Sequence, residues 1–221
     1  MMQANNPSYA HIAEQLIAHA TEKSVLVDAG CGHNEFKNIY NKKIIGMNLN
    51  FNNKVNFVSN GQILALKNDS VNIFISNFVL EHVEDTGAYL AELHRALRPG
   101  GKLILSVPLP IWYVAHLTLP HTWHDVIANF PRFLRGPLKF LTHGHPHRHS
   151  FFYEFFEWSC RNYERAFYEA GFNIVNKKKT CDFLSLNTHL AKIFGRFRFP
   201  DFLNIQITYV LEKPELGWQR V

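Results

Sequence analysis

Residues 25–32, Val-Leu-Val-Asp-Ala-Gly-Cys-Gly, place one carboxylate and a glycine turn directly after an apolar run. If the run is a strand, Asp28, Ala29, Gly30, Cys31 and Gly32 stand at its carboxyl end, where bare backbone amides can meet a ligand. Glycine suits such a turn because it has no Cβ to obstruct close approach and accepts positive φ. In open α/β sheets, ligands bind in the crevice outside those strand ends. A second concentration is histidine. Seven of the thirteen, His116, His121, His124, His143, His145, His147 and His149, fall between residues 116 and 149. Histidine is the usual proton acceptor near neutral pH, so this segment could deprotonate an oxygen or nitrogen nucleophile. The alternating set from 143 to 149 would face one way on a strand, as metal ligands do. Gly144 and Pro146 argue against a regular strand, and no carboxylate stands among them, so no metal is expected.

The elements that must position these groups follow from apolar periodicity. Tyr9, Ile12, Ala13, Leu16, Ile17 and Ala20 form a helical stripe. Strands are expected at 25–28, 43–47, 55–58, 71–76, 102–107, 172–178 and 204–211. The apolar runs in the first, fourth and fifth suit strands buried on both faces of a parallel sheet. Between the fourth and fifth, Asp85 or Thr86 caps a helix with the stripe Tyr89, Leu90, Leu93 and Leu97. Arg95 and Arg98 sit near its negative end, and Pro99-Gly100-Gly101 stops it. A later helix is capped by Ser150, carries Ser159, Tyr163 and Phe167 on its stripe, and ends at Gly171. This alternation predicts an α/β, doubly wound sheet.

Composition sets the bounds. With 221 residues, 47% of them hydrophobic, the chain can bury the core of one domain spanning 1–221. Residues 109–149 break the rhythm and read as an inserted, lid-like segment rich in aromatics. No apolar run reaches the roughly 18 residues of a membrane span. Met1 to Ser8 is polar and lacks a signal-peptide layout. Cys31, Cys160 and Cys181 match neither a disulfide framework nor a zinc spacing, so a cytoplasmic setting is expected. The net charge of +5 is diffuse apart from Lys177 to Lys179 and Arg196 to Arg198, too little for a nucleic-acid arm.

Four segments together resemble the class I S-adenosylmethionine-dependent methyltransferases of the type 11 kind. They are Asp28 to Gly32, Ile45-Gly46-Met47-Asn48, Phe74 to Val83, and Leu97-Arg98-Pro99-Gly100-Gly101-Lys102-Leu103. The resemblance implies a seven-stranded, mostly parallel, Rossmann-like methyltransferase sheet with an insertion after strand five. It also implies S-adenosylmethionine as cofactor. Asp28 would meet its ammonium, and Ala29, Gly30, Cys31 and Gly32 its carboxylate and ribose. Asn48, with Leu49 beside it, would take the ribose hydroxyls. Asn60, Gly61 and Gln62 would face the adenine, and Asn77 and Phe78 the sulfonium. His82 would be a structural contact behind the cofactor. In related enzymes the segment after strand five covers the acceptor. His147 and His149 are therefore the leading candidates for a base, with His121 and His124 next.

Asn48, Asn60 and Asn72 stand where the family commonly has Asp. A neutral acceptor replacing a charged one weakens a hydrogen bond by roughly half. Cofactor affinity is expected to be below the family's norm, and Asn72 to matter for structure alone. The expected activity is methyl transfer to a small-molecule acceptor, apolar, aromatic, lipid-linked or sugar-containing, at oxygen before nitrogen. No DNA partner is expected, and no RNA-binding module is visible. The insertion could touch a membrane surface, and the chain would be a monomer or homodimer. The alternatives are a noncatalytic methyltransferase-like binding protein and an RNA methyltransferase.

Overall fold

In the computed structural model, the described residues are 7–32, 36, 44–52, 55–110, 159–182 and 204–215. The chain divides into two compact units. One comprises Met1–Val107, Glu164–Lys178 and Thr208–Val221, and the other Pro108–Tyr163 and Lys179–Ile207. The first holds most of the described residues and every part of the site below.

Helix α1 (Pro7–His19) precedes strands β1 (Leu26–Ala29), β2 (Ile44–Asn48), β3 (Phe57–Val58) and β4 (Val71–Asn77). A 3-10 turn (Leu80–His82), helix α2 (Thr86–Ala96) and strand β5 (Leu97–Pro108) follow. Helix α3 (Cys160–Glu169), β6 (Asn173–Asp182) and β7 (Asn204–Glu212) complete the set. The seven strands form one sheet in the order β3-β2-β1-β4-β5-β7-β6. The four pairings from β3 to β5 are parallel. Strand order reverses between β1 and β4, and their carboxyl ends flank the crevice where such sheets take ligands.

Alternation along β4 assigns its two faces. Ile73 and Ile75 pack with Ile12 and Leu16 of α1, together with Leu26, Ile44, Ile104 and Val210. Ser76, of opposite parity, meets Tyr89 of α2. Each fully buried aliphatic side chain contributes roughly 1.5–3 kcal/mol, so this double layer fixes the strand ends firmly. The α1 stripe is narrower than its periodicity suggests. Ile17 is 70% exposed, whereas His11 is buried. Asp85 caps α2, its carboxylate accepting from Ala88 N at 2.9 Å.

The largest departure from expectation is at Leu97 to Gly101. These residues do not stop a helix as a loop; they open β5. Helix α2 ends at Ala96, so Leu97 is the first residue of the strand and not the last of the stripe. Gly100 N donates to Lys213 O, and Lys213 N to Gly101 O, which supplies ladder partners that proline and glycine seldom find. The register shift between Val71 and Ile73 takes up the extra residues. Ser159 likewise precedes α3, where its Oγ accepts from Asn162 N, in place of lying on the stripe. The rest of that helix as expected, from Ser150 to Trp158, falls outside the described residues.

Candidate cofactor site

Asp28 ends the buried core of β1 and is 2% exposed. No hydrogen bond or counter-ion reaches its carboxyl among the described residues. Burial raises it from 3.8 to about 7, because the charged form is lost from water without compensation. The turn that follows uses left-handed backbone that glycine adopts without strain. Gly30 and Gly32 have φ of 86° and 50°. A Cβ on Gly30 would lie 2.2 Å from Val79 Cγ2, while one on Gly32 would meet nothing within 4 Å. Gly30 thus lets the β1 turn pack on the chain leaving β4, and Gly32 opens onto free space.

The amides of this turn are not all bare, contrary to the sequence expectation. Gly30 N and Cys31 N both donate to Met47 O, at 2.8 and 2.9 Å. They tie the turn to β2, whereas Gly32 N meets no acceptor among the described residues. Asn52 Nδ2 donates to Gly32 O at 2.9 Å and braces the turn from the other side. The Cys31 thiol is pushed up to about 11, first by burial and then by Asp28. It stays protonated and serves packing.

Across the crevice, β4 ends at Asn77, whose Oδ1 is buried without a partner. Phe78 follows with φ of 54°, a left-handed conformation rare for an aromatic residue. Its N donates to Ser106 O at 3.0 Å, which holds the strained turn in place. Glu81, on the 3-10 turn, also buries an unpartnered oxygen, Oε2. Burial lifts its carboxyl to about 8. Beneath them Tyr89 OH and Ser76 Oγ share a hydrogen bond of 2.9 Å. Burial drives the Tyr89 hydroxyl far above its ordinary range, and the Asp28 and Glu81 charges add to that.

The third wall comes from β2 and residues 60–64. Asn48 closes β2, and Leu49 is 63% exposed beside it. Asn60 turns its Oδ1 onto Gln62 N at 3.1 Å, so its side chain shapes the local turn. Gly61 has φ of 79°, and a Cβ there would strike the Tyr89 ring at 2.5 Å. Arg95 pins the segment beyond it. Its guanidinium donates to Leu64 O, Leu66 O and Asn68 Oδ1, and Glu92 holds it in turn. That pairing with Arg95 is the main reason the Glu92 carboxyl falls to about 2.

Among the expected site residues, Asp28, Ala29, Gly30, Cys31, Gly32, Asn48, Leu49, Asn60, Gly61, Gln62, Asn77 and Phe78 all lie at or just after the carboxyl ends of β1, β2, β3 and β4. His121, His124, His147 and His149 lie outside the described residues. His82 is exposed, on the 3-10 turn after β4. Asn72 is structural, its Oδ1 accepting from Val25 N at 2.9 Å where β1 begins. Glu81 is the group that sequence reasoning overlooked. Its signal was an acid placed directly after the apolar run Phe78-Val79-Leu80.

These residues fit S-adenosylmethionine. A buried acid suits an ammonium, a glycine with open space around it suits close approach of a carboxylate, and the Asn77 oxygen has no donor among the described residues. A seven-stranded sheet in this order, with such a crevice at its reversal point, defines the class I methyltransferase fold. The chain itself belongs to the methyltransferase-domain family, whose model matches residues 3–177, and is an S-adenosylmethionine-dependent methyltransferase. No curated protein sequence matches it. Solved structures resemble it in fold at low identity. A chain of the Haloferax volcanii complex between the Trm112 methyltransferase activator and a methyltransferase is 17% identical, with TM-score 0.60, covering 97% of this chain and 92% of that one. An S-adenosylmethionine-dependent methyltransferase from Mesorhizobium loti is 19% identical, with TM-score 0.55, covering 92% and 99%. The Burkholderia thailandensis 1,6-didemethyltoxoflavin-N1-methyltransferase, solved with that substrate and S-adenosylhomocysteine, is 14% identical, with TM-score 0.58, covering 96% and 80%.

Proposed function

We propose that this protein binds S-adenosylmethionine between the carboxyl ends of β1, β2 and β4 and directs its methyl group to a small-molecule acceptor, at oxygen in preference to nitrogen. The observation that carries the cofactor site is a pair of acceptors near the carboxyl ends of the adjacent strands β1 and β4: the buried Asp28 carboxyl and Asn77 Oδ1, neither with a partner among the described residues. When bound, the cofactor supplies a methyl group on a sulfonium, already activated for displacement. The chain's own task is alignment, which can supply much of the rate in such a transfer. Asp28 holds the ammonium, Gly32 N the carboxylate, and Asn48 the ribose, while Asn77 and Phe78 stand toward the sulfur. His147 and His149 are the candidates to hold the acceptor's proton, with His121 and His124 next. The aromatic content of 109–149 supports an apolar or aromatic acceptor, and the Burkholderia enzyme offers a small-molecule precedent on the same fold.

Calorimetric titration with S-adenosylmethionine and S-adenosylhomocysteine tests the site. Both should bind in the micromolar range, and Asp28→Ala should weaken binding at least about tenfold, or about 1.4 kcal/mol. Silence up to millimolar cofactor would move the protein to the noncatalytic alternative. A second reading, in which the chain works with a small protein partner as the Haloferax chain does, draws on Phe51 and Val58. They are 77% and 52% exposed beside the sheet edge at β3.

A further inference from the structure

Glu81 directly follows an apolar run, and the 3-10 turn Leu80–His82 carries its Oε2 into a buried position without a partner among the described residues. Asn77 buries Oδ1 in the same condition. Roughly 90% or more of buried polar groups are paired in folded proteins, so two orphaned acceptors, one ending β4 and one on the turn after it, call for a partner that the described residues do not supply. Charge narrows the choice of donor. Asp28 and Glu81 both act on the Tyr89 hydroxyl. The other titratable group felt there is Cys31, in the β1 turn. His82 and Glu84 flank Glu81 along the chain, and both are exposed. No Lys, Arg or His acts on Asp28, Glu81 or Tyr89 among the described residues. A pocket with two buried acids and no base favours a cation, and without one it holds protons instead.

We propose that Asn77 Oδ1 and Glu81 Oε2 form an acceptor pair of the cofactor pocket, and that Glu81 releases its proton to solvent when the cationic cofactor binds. This rests on the cofactor site proposed above. In the release, the Glu81 O–H bond breaks, its electron pair stays on the carboxylate, and buffer takes the proton. Burial supports the geometry, since it holds Glu81 to about 8 and Asp28 to about 7. Both acids therefore have protons to give near neutrality. Glu81 thereby also separates substrate from product. S-adenosylhomocysteine carries the same ammonium and carboxylate but an uncharged sulfur, so it draws fewer protons out.

Titration calorimetry of the full chain, in two buffers of different ionisation enthalpy at about pH 7, counts the protons. S-adenosylmethionine should release protons on binding, and S-adenosylhomocysteine fewer. Glu81→Gln should still bind, with release reduced by up to about one proton per site. Binding without release, or release unchanged by Glu81→Gln, would overturn the inference and leave the cofactor site standing. No binding by the unaltered chain would instead overturn the site. Should Glu81→Gln fail to fold, the unaltered chain decides. Its affinity for S-adenosylmethionine should tighten between about pH 6 and about pH 8, by up to tenfold per unit for each proton released, and a flat profile would contradict the proposal.

Discussion

Asp28 is worth most to the empty protein when it is neutral. Its carboxyl rises from 3.8 to about 7 because burial withdraws it from water. Between those values the folded chain keeps a proton that the unfolded chain has lost. The stability linked to this group is therefore complete below about pH 4 and is lost as pH rises through about 7, by up to about 1.4 kcal/mol per unit. Asp28→Asn removes the titration and keeps the shape. Measured by urea unfolding without ligand, the variant should gain on the order of 1–2 kcal/mol over the unaltered chain between about pH 5 and about pH 7. A constant difference across that range would mean that the carboxyl is already compensated in the folded state. The same residue reverses its preference once a cation sits beside it, which is what a binding acid must do.

At the scale of elements, the site is a meeting of turns. The β1 turn and the chain leaving β4 touch at Gly30 and Val79, where a Cβ would come within 2.2 Å of Val79 Cγ2. Gly30→Ala meets both that collision and a φ of 86°. It should destabilise the fold by about 1–3 kcal/mol. Val79→Ala in the same chain should recover part of the loss in urea unfolding, because the Cγ atoms go and the strained φ stays. Additive effects would show that the two turns do not press on each other. Much of this was legible in the sequence. The Asp28 to Gly32 run, the strand alternation and the Asp85 cap are local signals, and each strand of the sheet was anticipated to within a few residues. What escaped depended on distant partners. Pro99-Gly100-Gly101 reads as a stop until Lys213 supplies the ladder. Gly30 and Cys31 look like bare amides until Met47 O accepts both. Ile17 fits the stripe by period, but the α1 face that packs is centred on Ile12 and Leu16. Glu81 reads as part of a signature until its burial is seen.

The sheet as a whole ends differently on its two sides. Strand β6 carries Lys177, Lys178 and Lys179, all exposed, and lysine along an edge discourages another strand from adding there. Strand β3 has no such guard. It is two residues long, and Leu49, Phe51, Val58 and Ile63 around it are 63%, 77%, 52% and 81% exposed. Leu49 and Ile63 adjoin Asn48 and Gln62 of the proposed site, where a bound adenine would cover them. Phe51 and Val58 have no such account, and exposed apolar side chains beside a short edge strand are where a contact would form. Opposing it is the net charge of +5, which keeps copies apart over about 10 Å at 0.1 M salt. Without a partner, the balance should therefore depend on ionic strength. In sedimentation velocity the purified chain should shift from monomer toward larger species as salt rises. Phe51→Ser with Val58→Ser should hold it monomeric, with cofactor affinity unchanged. A chain that stays monomeric at high salt without those changes would remove β3 as a contact edge. Self-association that persists in the double variant would move the contact elsewhere on the surface.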